Sequence, residues 1–335
     1  MSALAVEVRR YSRLSRFGIS GLVLVGIVLA MLPFLVYQST TSTMVMLFIL
    51  VVMGSMWNLL AGFGGMVSIG QQAFIGVGAY TVVLLSDHGI NPYVAIIGAA
   101  VFSALFAVPT SWLAFRLRGD YFAVGSWVIA EVYRLIVVKF GSLGGPSGRS
   151  LSGLAGIDVT TRTALTYWVA LAIAVVAVVA CYTLLRGRIG LALTAVRDDE
   201  VAARSTGVDV TRAKRIVYLA SAAGCGAAGG MLAVNALSVQ PNAIFSVQWS
   251  AYMILIVVIG GIGYLEGPLL GAVVFFGLQQ LLADYGTWYL IVLGLVAMAT
   301  ALWLPRGLWG QVVHLTGLRV FPVGYRVITP EERRR

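Results

Sequence analysis

The sequence alternates long apolar runs with short polar interruptions. From residue 18 onward, runs of about 20 apolar residues recur, and each is long enough to cross a bilayer core of about 30 Å as a helix. The alternating segments of about ten residues that build a membrane β-barrel do not occur in the sequence. The pattern therefore predicts an all-α, polytopic integral membrane protein. We place about ten crossings, at 18–37, 43–62, 66–85, 92–115, 121–140, 164–185, 213–235, 248–263, 267–284 and 287–304.

These crossings divide the chain into three parts. They are a basic segment at 1–17, a transmembrane domain at 18–304 and a tail at 305–335. The third crossing, 66–85, is the weakest because glycine and polar residues interrupt it. If it only dipped into the membrane, the basic pair Arg116 and Arg118 would lie on the side opposite the amino terminus. We therefore predict that it crosses as a broken helix enclosed by protein.

The charge of the chain supports this topology. Only 11% of the residues are charged, and the net charge is +10. Nucleic-acid binding is one meaning of a positive charge. Here, however, nineteen of the 23 Lys and Arg fall on one side of the predicted crossings and three on the other. Cytoplasmic loops of membrane proteins carry this excess. The distribution predicts that both termini are cytoplasmic and that no nucleic acid is bound.

Ten charged residues lie within a stretch of 29, residues 187–215, which we name the charged loop. No Gly or Pro occurs in residues 191–205, so this part can be helical. Gly207 can end that helix, and a second helix can start near Asp209 or Thr211, since both are good amino-terminal caps.

A small apolar stripe runs along one face of the first of these two helices. Its members are Leu191, Ala195, Val196, Ala202 and Ala203. A short helix with an apolar stripe on a cytoplasmic loop is typical of a docking element. The alternative is a solvated amphipathic loop without a partner, and the pattern alone leaves both open.

The charged loop resembles the ATPase-coupling loop of ABC importer permeases, whose signature is a Glu and paired Ala followed by a Gly. The matching residues are Glu200, Ala202, Ala203 and Gly207, with one extra residue, Val201, after the Glu. The full stretch GRIGLALTAVRDDEVAARSTGVDVTRAKR resembles the branched-chain amino acid importer permeases in particular. By this resemblance, the expected ATPase-coupling residues are Arg197, Asp199, Glu200, Ala202, Ala203 and Gly207.

Four other stretches resemble the same family in the same order. They are NLLAGFGGMVSIGQQAFIGVGAYTVVLL at 58–85, LRGDYFAVGSWVIAEVYRL at 117–135, VIGGIGYLEGPLLGA at 258–272 and PRGLWG at 305–310. The second is typical of the larger of the family's two permease subunits. The chain departs from the family where a His often stands in place of Gln71 or Gln72.

The resemblance implies a transmembrane permease subunit of an ATP-driven importer in a bacterial inner membrane. Its solute would be a branched-chain or related amino acid, although urea permeases share most of these motifs. Expected partners are a second homologous permease, two ATPase subunits, an external solute-binding protein and the lipid bilayer. The sequence has no Walker A pattern, so ATP hydrolysis is expected on separate subunits and the chain is not expected to be an enzyme.

Candidate residues of the translocation path lie first in the third crossing. The Gly-rich segment, residues 62–78, holds six glycines together with Ser68, Gln71 and Gln72. Glycine can open a helix so that backbone groups face a cavity, or it can simply allow close helix packing. We assign Ser68, Gln71 and Gly76 to the path, with close packing as the alternative.

Glu131 is the fourth path candidate. It lies in the middle of the fifth crossing, and Arg134, three residues later, shares its helix face. A charge at the centre of a membrane helix costs about 2.5–3.5 kcal/mol on insertion scales. Either Glu131 contacts the solute path, or the ion pair is buried against a partner helix and fixes packing. A self-sufficient channel or secondary transporter is the other functional class, but ion coupling needs intramembrane acidic residues, and Glu131 is the only plausible one.

Neither a cofactor nor a metal is expected. Cys181 and Cys225 lie inside apolar segments and give no disulfide framework or metal-binding spacing. The two histidines, His88 and His314, stand alone in the sequence and are interpreted as loop residues.

Overall fold

The computed structural model of the chain describes residues 7–9, 13–117, 119–154, 156–282, 285–286, 288–317, 320–321 and 326–328. These residues form fourteen α-helices, α1 Arg13–Leu35, α2 Gln38–Asn58, α3 Gln72–Asp87, α4 Pro92–Ala114, α5 Asp120–Lys139, α6 Val159–Arg186, α7 Arg188–Asp198, α8 Glu200–Ser205, α9 Val210–Ala236, α10 Pro241–Ile244, α11 Val247–Gly260, α12 Gly267–Leu281, α13 Trp288–Trp303 and α14 Gly307–Thr316. A π-helical turn, Leu59–Phe63, extends α2, and two 3₁₀ turns lie at Gly141–Leu143 and Gly145–Ser147. Arg118 and parts of the predicted segments 1–17 and 305–335 lie outside the described residues.

Four short strands form two antiparallel pairs. They are β1 Glu7–Arg9 with β4 Arg326–Ile328, and β2 Arg149–Ser150 with β3 Ser238–Val239. The prediction of an all-α membrane protein is confirmed, because helices dominate the described residues. Seven helical segments among these residues, some of which join consecutive helices, are long and apolar enough to cross a membrane. Those seven are Gln38–Phe63, Pro92–Ala114, Asp120–Lys139, Val159–Arg186, Val210–Ala236, Pro241–Gly260 and Trp288–Thr316.

Three further apolar helices are shorter. They are Leu24–Leu35, Gln72–Asp87 and Gly267–Leu281. Each of the predicted crossings overlaps one of these long or short apolar helices, and the number that cross stays a prediction.

Side-chain caps fix where several helices begin. The Asn91 side chain accepts a hydrogen bond from the Tyr93 amide at the start of α4, where Pro92 occupies the first turn. Asp158 caps α6 and Ser246 caps α11 in the same way. These caps satisfy amide groups that a helix leaves without an internal partner, so the crossings start at defined residues.

The centre of the bundle is built from α2, α3, α4 and α9. Helix α9 packs along both α3 and α4, and α2 packs against α6, α9, α11 and α12. Small residues allow the closest approach, since a Cβ atom added at Gly78 of α3 would lie 2.0 Å from the carbonyl oxygen of Gly226 in α9. Gly226 and Gly230, which form a GxxxG pair, lie in this seam against α3 and α4.

Helix α5 is peripheral by contrast. In the membrane-crossing window of α2, 83% of the residues are buried within the chain, but in that of α5 only 17% are. Most of α5 is therefore free to meet lipid or another subunit.

The two ends of the bundle differ in construction. One end carries the charged loop, with α7 and α8. At the other end, strands β2 and β3 pair, and Arg149 forms an ion pair with Asp87 at 3.0 Å. We call these the charged-loop end and the opposite end.

Candidate functional site

The third crossing is broken, as the sequence predicted. Residues 64–71 carry no helix, between the π-helical turn that ends at Phe63 and the start of α3 at Gln72. Only the second part of the predicted crossing at 66–85 is therefore helical. The non-helical stretch runs from the charged-loop end into the bundle.

Side chains from three other helices satisfy the backbone of this stretch. The Trp57 indole donates to the carbonyl oxygen of Ser68 at 2.8 Å. The Ser250 hydroxyl donates to the carbonyl oxygen of Ile69 at 2.9 Å, and the amide of Ile69 donates to the Ser126 hydroxyl at 3.0 Å. Non-helical backbone survives at membrane depth only where protein or water satisfies it, and here protein does so. The sequence did not predict the roles of Ser126 and Ser250, because their partner Ile69 lies 57 and 181 residues away in the chain.

Two predicted path residues, Ser68 and Gln71, are buried here. The Ser68 hydroxyl accepts a hydrogen bond from the Gly70 amide at 3.2 Å. Gln71 is 0% exposed, and its side-chain oxygen accepts from the Ser221 hydroxyl of α9 at 3.4 Å. Its side-chain nitrogen has no partner among the described residues. The chain thus encloses an amide group at the start of α3 that is only half satisfied.

Gly76 lies one turn further along α3. A Cβ atom added there would lie 2.2 Å from the ring of Phe245, which follows α10. The structure shows close packing at Gly76, which is the alternative that the sequence left open beside a path role.

Glu131 lies on the exposed side of α5. Arg134 Nε donates to both carboxylate oxygens of Glu131, at 2.9 and 3.0 Å, and Arg134 Nη1 donates to Asn242 Oδ1 in α10 at 2.7 Å. The Glu131 side chain remains 46% exposed and the Arg134 side chain 24%. The predicted ion pair is therefore present. No hydrogen bond among the described residues joins it to Ser68 or Gln71.

The charged loop folds into two helices where the sequence predicted one over 191–205. Asp199 separates α7 from α8, since its side chain accepts from the amides of Val201 and Ala202 at 2.8 and 3.0 Å. The later punctuation agrees with the prediction. Gly207 has a φ of +83° and follows α8, and Asp209 caps α9 by accepting from the Arg212 amide at 2.9 Å.

The apolar stripe of the loop is divided between an interior and an exterior. Val196 and Ala203 are buried with Val210 in a small core of the loop itself. Ala203 therefore faces inward, away from a docking surface. Ala202 is exposed, and Val201 is 75% exposed. Val201 is the extra residue of the coupling signature, and it is an exposed apolar side chain that the predicted stripe did not include.

Glu200, a predicted coupling residue, forms ion pairs with two cationic side chains. Its carboxylate accepts from Lys214 Nζ at 2.6 Å and from Arg204 Nη2 at 2.8 Å. The hydrogen bond from Lys214, supported by Arg204, holds the pKa of Glu200 below its ordinary value, although partial burial acts in the opposite direction. Glu200 is thus a carboxylate that ties α8 to the start of α9.

The Arg197 side chain is about half exposed, and its guanidinium group contacts the bundle. Its Nη1 atom donates to the carbonyl oxygen of Gly62, in the π-helical turn, at 2.9 Å. Of the predicted coupling residues, Ala202 is therefore exposed, Ala203 lies in the interior of the loop, and Arg197 contacts the bundle.

Within the described residues, no group of three or more His, Cys, Asp or Glu side chains is placed to hold a metal ion. Cys181 and Cys225 are both free and buried. The candidate site therefore consists of a broken crossing and a folded charged loop, without a described metal centre.

Comparison with known proteins gives consistent results. The family described as branched-chain amino acid transport system, permease component, matches residues 39–301. The chain is 29% identical over 303 residues to the high-affinity branched-chain amino acid transport system permease protein LivM of Salmonella typhimurium (strain LT2), covering 82% of this chain and 71% of that protein. It is 28% identical over 303 residues to the protein of the same name from Escherichia coli (strain K12), with the same coverage.

A more distant relative comes from an archaeon. The probable branched-chain amino acid transport permease protein LivM of Methanocaldococcus jannaschii is 27% identical over 250 residues, covering 74% of this chain and 68% of its own length. No solved structure matches the chain.

Proposed function

Because the chain belongs to the family of permease components of branched-chain amino acid transport systems, we propose that it carries branched-chain or related amino acids as the membrane subunit of an ATP-driven importer. The observation that supports the ATP-driven mode is the folded charged loop. It presents Val201 and Ala202 outward on a short capped helix. The sequence has no P-loop of its own, so this surface would receive a separate ATPase.

The proposed assembly contains this chain, a second homologous permease, two ATPase subunits and an external solute-binding protein. The charged loop and both termini would lie in the cytoplasm, in keeping with the excess of Lys and Arg there. Closure of the ATPases would displace the charged loop, and the bundle would respond by alternating access. The family supports the assembly as a whole, and the loop surface supports the ATPase subunits.

The proposed path passes the break in the third crossing. Discontinuous membrane helices commonly form the solute sites of transporters, because they leave backbone groups and half-helix ends free to face a ligand. Gln71 supports this placement, since it stands at the start of α3 and its side-chain nitrogen lacks a protein partner among the described residues. Ser68 and Gly76 lie on either side of it along the chain. Because Ser68 and Gln71 are enclosed here, solute access requires a second conformation in which α5 or α11 moves away.

The exposed ion pair on α5 supports a protein neighbour on that face. Glu131 and Arg134 lie in a membrane-crossing helix, and leaving them to lipid would be costly. We place the second permease, or a water-filled path between the two permeases, against this face.

Transport by the purified complex tests the proposal. Wild-type complex in sealed vesicles should take up labelled leucine only when ATP and the binding protein are present, and unlabelled isoleucine and valine should compete. Uptake of labelled urea in place of leucine would favour the urea alternative. Uptake that persists without ATP and stops on dissipation of ion gradients would contradict the ATP-driven proposal.

The same assay tests the two proposed surfaces. Val201→Glu should abolish solute-stimulated ATPase activity without loss of membrane insertion, because a charge would be buried in the docking groove without a partner. Val201→Leu is the matched control. At α5, the double change Glu131→Gln with Arg134→Gln should be milder than either single change if the pair only fixes packing. Additive losses of uptake in fully assembled complex would favour direct contact with the path.

A further inference from the structure

The helix formed by α2 and the π-helical turn ends at Phe63, beside the break in the third crossing. The last carbonyl groups of a helix have no internal partner, and basic side chains can satisfy them. Arg197 Nη1 does so for the carbonyl oxygen of Gly62, at 2.9 Å and from 135 residues away in the chain. A residue of the charged loop thus caps the helix that leads into the broken crossing.

The hydrogen bond from Arg197 connects the charged loop to the π-helical turn. Among the described residues, this hydrogen bond joins α7 to the bundle, whereas the ion pairs of Glu200 with Arg204 and Lys214 lie within the charged loop. On the other side of α8, a cavity of about 200 Å³ separates Glu200 and Arg204 from residues 65–67 and from Phe115 and Phe122. The α8 side of the loop therefore borders open space, whereas α7 contacts the bundle through Arg197 and the buried Leu193.

Arg197 reaches a junction that links two parts of the bundle. Asn58, one turn before Gly62, accepts a hydrogen bond from the Gly263 amide at 2.9 Å and donates to the carbonyl oxygen of Tyr264 at 2.8 Å. Gly263 and Tyr264 lie in the connection between α11 and α12. The guanidinium group of Arg197 is close to this connection, because a Cβ atom added at Gly263 would lie 3.2 Å from Nη1.

We propose that Arg197 is a positioning residue that transmits displacement of the charged loop to the break in the third crossing. The proposal rests on the proposed function, in which ATPase subunits move this loop. When the loop shifts, the guanidinium carries the Gly62 carbonyl with it. The non-helical residues 64–71 follow directly, and the Asn58 junction passes the shift to α11 and α12.

The link suits a moving part better than a static one. The Arg197 side chain is 46% exposed, so water can replace its hydrogen bonds when the contact lengthens. A buried arginine would instead leave an unpaired charge in the bundle.

The test compares three variants of the fully assembled complex. Arg197→Met keeps an unbranched stem but removes the donors, and Arg197→Lys keeps one cationic donor but loses the planar guanidinium group. Arg188→Met is the matched control, because Arg188 is an exposed arginine of α7. For each, amounts of assembled complex, solute-stimulated ATPase rate and leucine uptake are measured, and the ratio of uptake to ATP hydrolysed is calculated.

Arg197→Met should assemble and hydrolyse ATP, while its ratio of uptake to hydrolysis falls at least about fivefold, the low end of typical coupling effects. Arg197→Lys should lie between it and wild type, and Arg188→Met should match wild type. Ratios equal to wild type in both Arg197 variants would overturn the proposal, since Arg197 would then be only a structural cap. If Arg197→Met does not assemble, the Lys variant decides by the same ratio. Absence of ATP-driven uptake in wild type would instead contradict the proposed function.

Discussion

The charged loop and the Gly-rich segment both interrupt helices, but they satisfy their backbone in different ways. In the charged loop, the interruption at Asp199 is closed by the side chain of Asp199 itself, and Gly207 turns the chain a few residues later. In the Gly-rich segment, the interruption at 64–71 depends on Trp57, Ser126 and Ser250, which come from three separate helices.

The difference follows from the surroundings. A break in water needs only a local cap, because solvent serves the remaining groups. A break inside a membrane bundle needs donors and acceptors from neighbouring helices, because an unsatisfied buried group costs about 1–3 kcal/mol. The first kind of break needs no partner from the bundle at the break itself, whereas the second is coupled to every helix that supplies a partner.

The largest expected contrast is between two glycines. Gly76→Leu would force a side chain against the Phe245 ring, where even a Cβ atom would lie 2.2 Å away, so we expect a loss of about 3 kcal/mol, the upper end of the usual overpacking range. A Cβ atom added at Gly207 meets no atom within 4 Å, so Gly207→Leu should bear mainly the strain of its positive φ, about 1–2 kcal/mol. Thermal unfolding midpoints of the two purified variants in detergent should show this order. Equal midpoints would remove the distinction between the two regions.

A smaller contrast is expected between two serines. The hydroxyl of Ser250 supports Ile69 and also contacts the side-chain oxygen of Gln72, so Ser250→Ala should cost about 1–3 kcal/mol. The exposed hydroxyl of Ser205 donates only to the carbonyl oxygen of Val201, and Ser205→Ala should change stability by less than about 0.5 kcal/mol. Denaturant unfolding in mixed micelles measures both. A negligible effect at Ser250 would mean that the break does not need its partner.

The smallest expected effect is a pH dependence confined to the charged loop. The pKa of Glu200 is lowered in the folded chain, mainly by the hydrogen bond from Lys214. Its contribution is therefore present above the unfolded-state pKa and is lost as the pH falls through the lower folded pKa. The hydrogen-exchange protection of residues 200–214, relative to the intrinsic exchange rate at each pH, should fall on acidification. Glu200→Gln should remove this pH dependence.

The broken crossing supplies the comparison for that experiment. The side chains that bond to the backbone of residues 64–71 are those of Trp57, Ser126 and Ser250, which do not titrate in this range. Their amides should keep the same protection over the same pH window. Acid-dependent opening at 64–71 would show that the Glu200 contacts in the charged loop also support the break in the isolated chain.

The sequence predicted those features that depend on near neighbours. Apolar runs gave the helices, Gly207 and Asp209 gave the end of α8 and the start of α9, and the glycines and polar residues at 62–78 indicated a broken crossing. Each of these signals lies within a few residues of its structural effect. The same holds for the ion pair of Glu131 and Arg134, which are one helical turn apart.

The features that the sequence did not predict depend on distant contacts. The hydroxyls of Ser126 and Ser250 serve residues 57 and 181 positions away, and Arg197 reaches Gly62 across 135. The division of α7 from α8 was missed for a different reason. Asp199 lies in a sequence that can be helical, and the helix breaks there because the Asp199 side chain caps α8.

The burial of both cysteines has a practical consequence. Cys181 and Cys225, 1% and 0% exposed, are the two thiols of the whole chain, so a water-borne maleimide should find almost no native background. Ser152 and Ser205 are exposed at opposite ends of α6, which spans the bundle between them. A single cysteine at either position would be a reporter in an otherwise unmodified protein. In intact cells, an impermeant maleimide should reach position 152 and not position 205. The side of the membrane that the charged loop occupies could thus be determined without replacing either native cysteine.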